Sequence, residues 1–167
     1  MKLRVSNVVR TSVVFFALGS AMRAAEYRIE VARVVDQATA ESILGEPVKS
    51  PTPQNIDGTD GYYSKCNYYT AKPGKALVVR VYQAAPGTDP QTVLESLTES
   101  TGAMTAVPLG DKARLSSGAD GRLPPHVVML YVVKRNALVT VGISGLHDDV
   151  LAAEKTKAVA QKVLASL

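Results

Sequence analysis

The stretch His126-Val-Val-Met-Leu-Tyr-Val-Val-Lys-Arg-Asn-Ala-Leu-Val-Thr-Val-Gly-Ile-Ser144 decides the fold. Its first half, Val127 to Val133, is an apolar run without polar alternation and rich in β-branched residues. A run of that kind is a strand covered on both faces, so His126–Lys134 is expected in the middle of a sheet. Arg135-Asn136 leaves room only for a tight turn. Ala137–Ser144 therefore returns antiparallel as the second strand of a hairpin, because parallel neighbours need a long crossover.

The same reasoning extends outward. Tyr62–Tyr69 is aromatic and Ala76–Tyr82 is rich in valine and leucine, with Lys72-Pro-Gly-Lys75 as the turn between them, a second antiparallel pair. Met104–Val107 and Ala113–Ser117 are weaker strand candidates on either side of Pro108-Leu-Gly-Asp111, and Gly118-Ala-Asp-Gly121 is a turn. Residues 49–60 are dense in turn formers and read as a loop. Tyr27-Arg-Ile-Glu-Val31 alternates and reads as a short strand or an extended arm.

Three helices carry their own start and stop signals. Asp36 is an N-cap for Gln37–Leu44, Gly45 fits the left-handed position after the last turn, and Pro47 blocks continuation. Asp89 with Pro90 opens a second helix, which places Val93, Leu94 and Leu97 on one face and ends at Gly102. From Asp148 the chain reads as helix to its end, with Thr156, Val159, Ala160, Val163 and Leu167 as the inward stripe and Glu154, Lys155, Lys157 and Lys162 facing away. The predicted order is α-β-β-α-β-β-β-α. It describes an α+β fold, a mainly antiparallel sheet of about five strands with helices packed on it.

Charge points to an address, not to a partner. The 167 residues hold 19 Lys+Arg against 15 Asp+Glu, a net charge of +4 that invites a nucleic-acid reading. Lys2, Arg4, Arg10 and Arg23 all precede residue 26, where no acid occurs, so 15 cations face 15 anions from Glu26 onward. Nucleic acid is therefore not an expected partner. Residues 1–25 read instead as a signal peptide, with a basic start and a short apolar segment, Thr11-Ser-Val-Val-Phe-Phe-Ala-Leu-Gly-Ser-Ala21. Gly19-Ser20-Ala21 and Ala24-Ala25 are the two candidate cleavage sites, and an uncleaved amphipathic anchor is the alternative. The segment is too short for a span of about 20 apolar residues, and no cysteine follows it to take a lipid. Residues 26–167 are expected to form a single domain. With 46% apolar and 20% charged residues it is a folded chain and not a disordered one.

Local motifs for chemistry are few. Cys66 is the only cysteine, so no internal disulfide is possible. Alternation puts it on the face of Tyr62, Ser64 and Tyr68, opposite the more polar Tyr63, Lys65, Asn67 and Tyr69. It is expected inside as a small apolar residue, the functional alternatives being a redox-active thiol or a disulfide to another chain. His126 and His147 are the only histidines. His147-Asp148-Asp149 resembles a ligand cluster, but carboxylates at a helix start cap its N–H groups, and a metal needs three or four convergent ligands. Neither a metal nor a cofactor is expected. Gly142-Ile-Ser-Gly145 is one residue short of a nucleophile elbow. Four of seven tyrosines fall at Tyr62, Tyr63, Tyr68 and Tyr69, with Tyr82 able to pair across from them. Such a cluster is either cross-strand packing or a binding platform, since tyrosine joins apolar area to a polar tip. These five tyrosines are the candidate binding residues, and Asn55–Tyr69 is the first region to inspect.

Several stretches together resemble the small domains of unknown function found in bacterial, mostly actinobacterial, lipoproteins and secreted proteins. They are Ile43-Leu-Gly-Glu-Pro-Val48, Cys66-Asn-Tyr68, Val107-Pro-Leu-Gly-Asp-Lys-Ala113, the hairpin closing at Arg135-Asn136, and Lys162-Val-Leu-Ala-Ser-Leu167. The resemblance spans nearly all of the chain after the leader, and Leu109-Gly-Asp-Lys-Ala113 is its most distinctive part. It implies an exported α+β domain, often compared with the Mog1/PsbP-like sandwich, without established enzymatic activity. It supplies no catalytic residues. The lipobox cysteine and the second cysteine common in such proteins are missing here, so neither a lipid anchor nor a disulfide is implied.

The expectation is thus a periplasmic or secreted, non-enzymatic binding domain for an unknown protein or small ligand of the cell envelope, with no transmembrane segment once the signal is removed. The alternatives are a small hydrolase using His126 or His147 as base and a structural envelope subunit.

Overall fold

The structure, a computed structural model, describes residues 27–101, 104–118 and 123–167. The expected signal peptide with its two candidate cleavage sites, Gly102 and most of the expected Gly118–Gly121 turn lie outside the described residues. Among the described residues four helices and seven strands follow in the order α1 (Val31–Val34), α2 (Gln37–Leu44), β1 (Gln54–Asp57), β2 (Gly61–Tyr69), β3 (Ala76–Ala84), α3 (Pro90–Thr101), β4 (Thr105–Ala106), β5 (Lys112–Ser117), β6 (Val127–Lys134), β7 (Ala137–Ser144) and α4 (Asp149–Leu164). The fold is α+β, as expected.

All seven strands join one antiparallel sheet in the order β1-β2-β3-β7-β6-β5-β4. Two meanders, β1 to β3 and β4 to β7, are sewn together where β3 lies beside β7. The middle strand is therefore β7, whose residues are buried from Ala137 to Ile143, with β6 next to it. Between β3 and β4 the chain must cross from the centre of the sheet to its far edge, and α3 makes that crossing.

The sheet has more than the expected five strands. Gln54–Asp57 lies inside the expected loop, yet it pairs with Lys65 to Tyr62 of β2. All four residues are exposed, so no apolar alternation marks them, and Pro51 and Pro53 just before them suit a sheet edge. At the other edge, both weak candidates form strands, β4 being only two residues long. Tyr27–Val31 is not a strand. Residues 27–30 form an extended arm, and Val31 opens the one-turn α1. Side chains of the sheet intercept this arm's donors: Ile29 N–H donates to Gln83 Oε1 at 2.7 Å and Val31 N–H to Ser64 Oγ at 2.8 Å.

The helix signals act as their chemistry predicts. Asp36 accepts from Thr39 N–H at 2.8 Å, and hydrogen bonding from the Thr39 side chain first and this N–H second holds its carboxyl below the ordinary carboxylate range. Gly45 stands at φ 73°, where a Cβ would be unfavourable. Asp89 caps α3 through Gln91 N–H, and Asp148 caps α4 through Val150 and Leu151 N–H. The inward stripe of α4 is Ala152, Thr156, Val159, Ala160, Val163 and Leu164, and the helix stops before Leu167, which still packs against the core.

The main core lies between one sheet face and α1, α2 and α4, centred on Tyr68, Leu77, Val79, Leu130 and Val141. A smaller core forms where α3 covers part of the other face, over Tyr82, Tyr131, Val133 and Leu138. Among the described residues, α3 is the only helix on this second face, and it leaves the β1–β2 side open. Among the described residues no helix is long and apolar enough to cross a membrane.

Candidate functional site

The sheet sorts the five candidate tyrosines onto two faces. Tyr62 and Tyr68 point toward the helices, whereas Tyr63, Tyr69 and Tyr82 point to the open face. Tyr68 is completely buried and its hydroxyl donates to the Val35 carbonyl, so it is a core residue that fastens the end of α1. Burial pushes its ionisation well above the ordinary tyrosine value. Tyr62 is half-buried beneath Arg28, whose guanidinium carbon lies 5.1 Å from the ring centre. Tyr69 stands at the other end of the open face and accepts from Asn67 Nδ2 at 3.2 Å. The five do not form one platform.

Two of them do meet. Tyr63 on β2 and Tyr82 on β3 are direct cross-strand partners, with ring centres 4.6 Å apart and planes 21° from parallel. Both hydroxyls are tied to Asp60 in the turn before β2: Tyr63 donates to its carboxylate, and Tyr82 donates to its carbonyl at 2.8 Å. The Asp60 carboxylate holds the Tyr63 proton and raises its ionisation, while burial first and the Asp60 charge second raise that of Tyr82. Both phenols stay neutral, with their tips engaged and the ring faces left for packing. Tyr82 is only 7% exposed, but Tyr63 is 38% and Ile56 on β1 is 57%.

These residues line a groove of about 420 Å³ that opens to solvent between α3 and β1. Ile56, Tyr63, Tyr82, Val93 and Leu138 give it an apolar wall, and Gln54, Lys65, Arg80 and Thr140 contribute polar groups. Its size and lining, mostly apolar with a few polar groups, match a small-molecule site. Asn55–Tyr69 supplies Ile56, Tyr63 and Lys65. Arg80 and Tyr82 come from β3, the hairpin partner of β2, whereas Leu138 and Thr140 were hidden in the sequence because β7 pairs with β3 only in space, as was Val93 on the crossing helix. A lone Arg80 in a valine-rich strand was the one local signal.

Cys66 is fully buried and unpaired. A disulfide to another chain would require β2 to leave the core, so the thiol is placed as packing. Replacing Cys66 with serine is expected to cost about 1–3 kcal/mol, since a hydroxyl would enter an apolar site. An alkylating reagent should label Cys66 in the folded protein no faster than global unfolding permits. Rapid labelling at low denaturant would overturn this placement.

The two histidines, 21 positions apart in sequence, come together at the start of β6 and α4. Their ring centres are 4.9 Å apart and edge-to-face. His126, at φ 58°, places Nδ1 3.7 Å from Asp149 Oδ1, beyond hydrogen-bond length. Among the described residues no hydroxyl or thiol bonds to either imidazole, and no three His, Cys, Asp or Glu side chains converge as a metal would require. Asp148 is occupied as a helix cap. No protein-family model, curated protein or solved structure matches this chain.

Proposed function

We propose that this chain is an exported binding domain of the cell envelope, without chemistry of its own, that takes a small ligand in the groove between α3 and β1. The observation that carries the reading is the stacked Tyr63–Tyr82 pair beneath an open groove. Both rings are immobilised through Asp60 before any ligand arrives, so little side-chain entropy is lost on binding. The exposed apolar area of Ile56 and Tyr63 is what a bound planar group would cover. The basic leader and the resemblance to small exported domains support the location.

A fluorescence titration of the purified protein with the neutral probe N-phenyl-naphthylamine tests the groove. Binding should saturate at one site, and Tyr63→Ala should weaken it about five- to tenfold, the loss of one aromatic contact. His126→Ala with His147→Ala should leave it unchanged. A probe that ignores Tyr63→Ala would overturn the reading, and loss of the cellular function in the double histidine variant would favour the hydrolase alternative.

A further inference from the structure

We infer that the groove selects an organic anion, a molecule whose flat apolar body lies on Tyr63 and whose single carboxylate, sulfonate or phosphate sits over Lys65 and Arg80. The inference rests on the groove being the binding site and adds the charge of its occupant.

The strand register carries the argument. One row of side chains on the open face runs across six strands as Gln54, Lys65, Arg80, Thr140, Tyr131 and Arg114. Lys65 and Arg80 are direct partners on neighbouring strands, where side chains are closest and like charges repel. Lys112, one row away, is paired with Glu95 at 2.8 Å, and elsewhere Arg28, Arg33 and Lys75 each hold a carboxylate. Among the described residues neither Lys65, Arg80 nor Arg114 has an acidic partner, and no strand residue on this face is a carboxylate. The chain from Glu26 onward is balanced, so this excess is local and not a general bias.

Both unpaired cations border the same groove as the tyrosine pair. Lys65 is half-buried, where a charge is less screened than in open water. An anion bound there would relieve the Lys65–Arg80 repulsion while its apolar part covers Ile56 and Tyr63. Neither a neutral ligand nor an inorganic anion would satisfy both halves. Gln54 and Thr140 flank the two cations in the same row and can donate to the anion's remaining oxygens.

Anilinonaphthalene sulfonate and N-phenyl-naphthylamine share one ring system and differ by the sulfonate, so the pair isolates the charge. The protein should bind the sulfonate at least about tenfold more tightly, and that advantage should shrink as salt rises while neutral-probe binding does not. Lys65→Gln with Arg80→Gln should abolish the advantage, so that the two probes bind that variant about equally, whereas Lys157→Gln on α4 should leave the advantage in place. If the neutral probe binds through Tyr63 but the sulfonate gains nothing, or its gain ignores salt, the anion inference is overturned and the groove stands. If neither probe depends on Tyr63, both fall.

Discussion

Replacing Tyr68 with alanine is expected to lower the unfolding free energy more than any surface change in this protein, by about 3–5 kcal/mol from the cavity alone. Among the described residues Tyr68 is the largest fully buried side chain, enclosed between β2 and α1 in the main core. Its removal also leaves the buried Val35 carbonyl without its donor, which adds about 1–3 kcal/mol. Domains of this size are stable by only about 5–15 kcal/mol, so the variant should be close to unfolding at room temperature. Urea denaturation would show a lower midpoint with an unchanged slope.

Tyr68→Phe separates the two contributions, because it keeps the ring and deletes only the hydroxyl, with an expected loss of about 1–3 kcal/mol. It also predicts a pH effect. Burial raises the folded-state ionisation of Tyr68 above its unfolded value near 10. The neutral form is thus the one the fold prefers, so this stabilisation is complete below about pH 10 and is lost as pH rises past it. Tyr62, Tyr63 and Tyr82 are raised as well, so Tyr68→Phe should flatten the alkaline decline without abolishing it. A Tyr68→Ala loss under about 1 kcal/mol would place the ring outside the core and overturn the register of β2.

Gly145→Ala is the second large effect. Gly145 follows β7 at φ 80°, and its N–H donates to the His126 carbonyl at 3.0 Å, which anchors the entry to β6. The dihedral alone disfavours alanine by about 1–3 kcal/mol. A Cβ there would also run into the backbone carbonyl of Gly74 in the β2–β3 turn. Backbone cannot rotate aside as a side chain can, so the turn must shift, at a further cost of about 1–3 kcal/mol. Gly45→Ala is the internal reference: at φ 73° it has a similar strain, but a Cβ there meets nothing within 4 Å. Thermal melts should therefore order the proteins as wild type, Gly45→Ala, then Gly145→Ala. Equal losses for the two variants would show that the approach of the two hairpins is not tight.

The parts of this fold that were legible in the sequence are those whose cause is local. Asp36 and Asp148 are caps because a carboxylate at a helix start meets unpaired N–H groups wherever the helix lies. Alternation placed Ser64, Cys66 and Tyr68 inside and Tyr63, Lys65 and Tyr69 outward before any partner strand was known. β1 is not legible in the sequence, for the same reason reversed. Its four residues are all exposed and are ordered by pairing with β2, not by a pattern of their own.

The candidate site divides along the same line. Tyr63 facing Tyr82 follows from the β2–β3 hairpin, since a short turn sets the register between its strands. The groove does not. It requires β3 to lie against β7, bringing Thr140 and Leu138 beside Arg80 and Tyr82, and it requires α3 to cross one half of the face and leave the other half bare. The sequence by itself determined where α2, α3 and α4 begin, the β2–β3 and β6–β7 hairpins and the inward and outward phase of β2. Only the tertiary structure decided which strands become neighbours across the centre of the sheet and where α3 crosses it, and with that the groove that Leu138, Thr140 and Val93 close beside the tyrosines. Such contacts join residues far apart in the chain, where no turn length or short-range spacing limits the choice and burial over the whole core selects the partner.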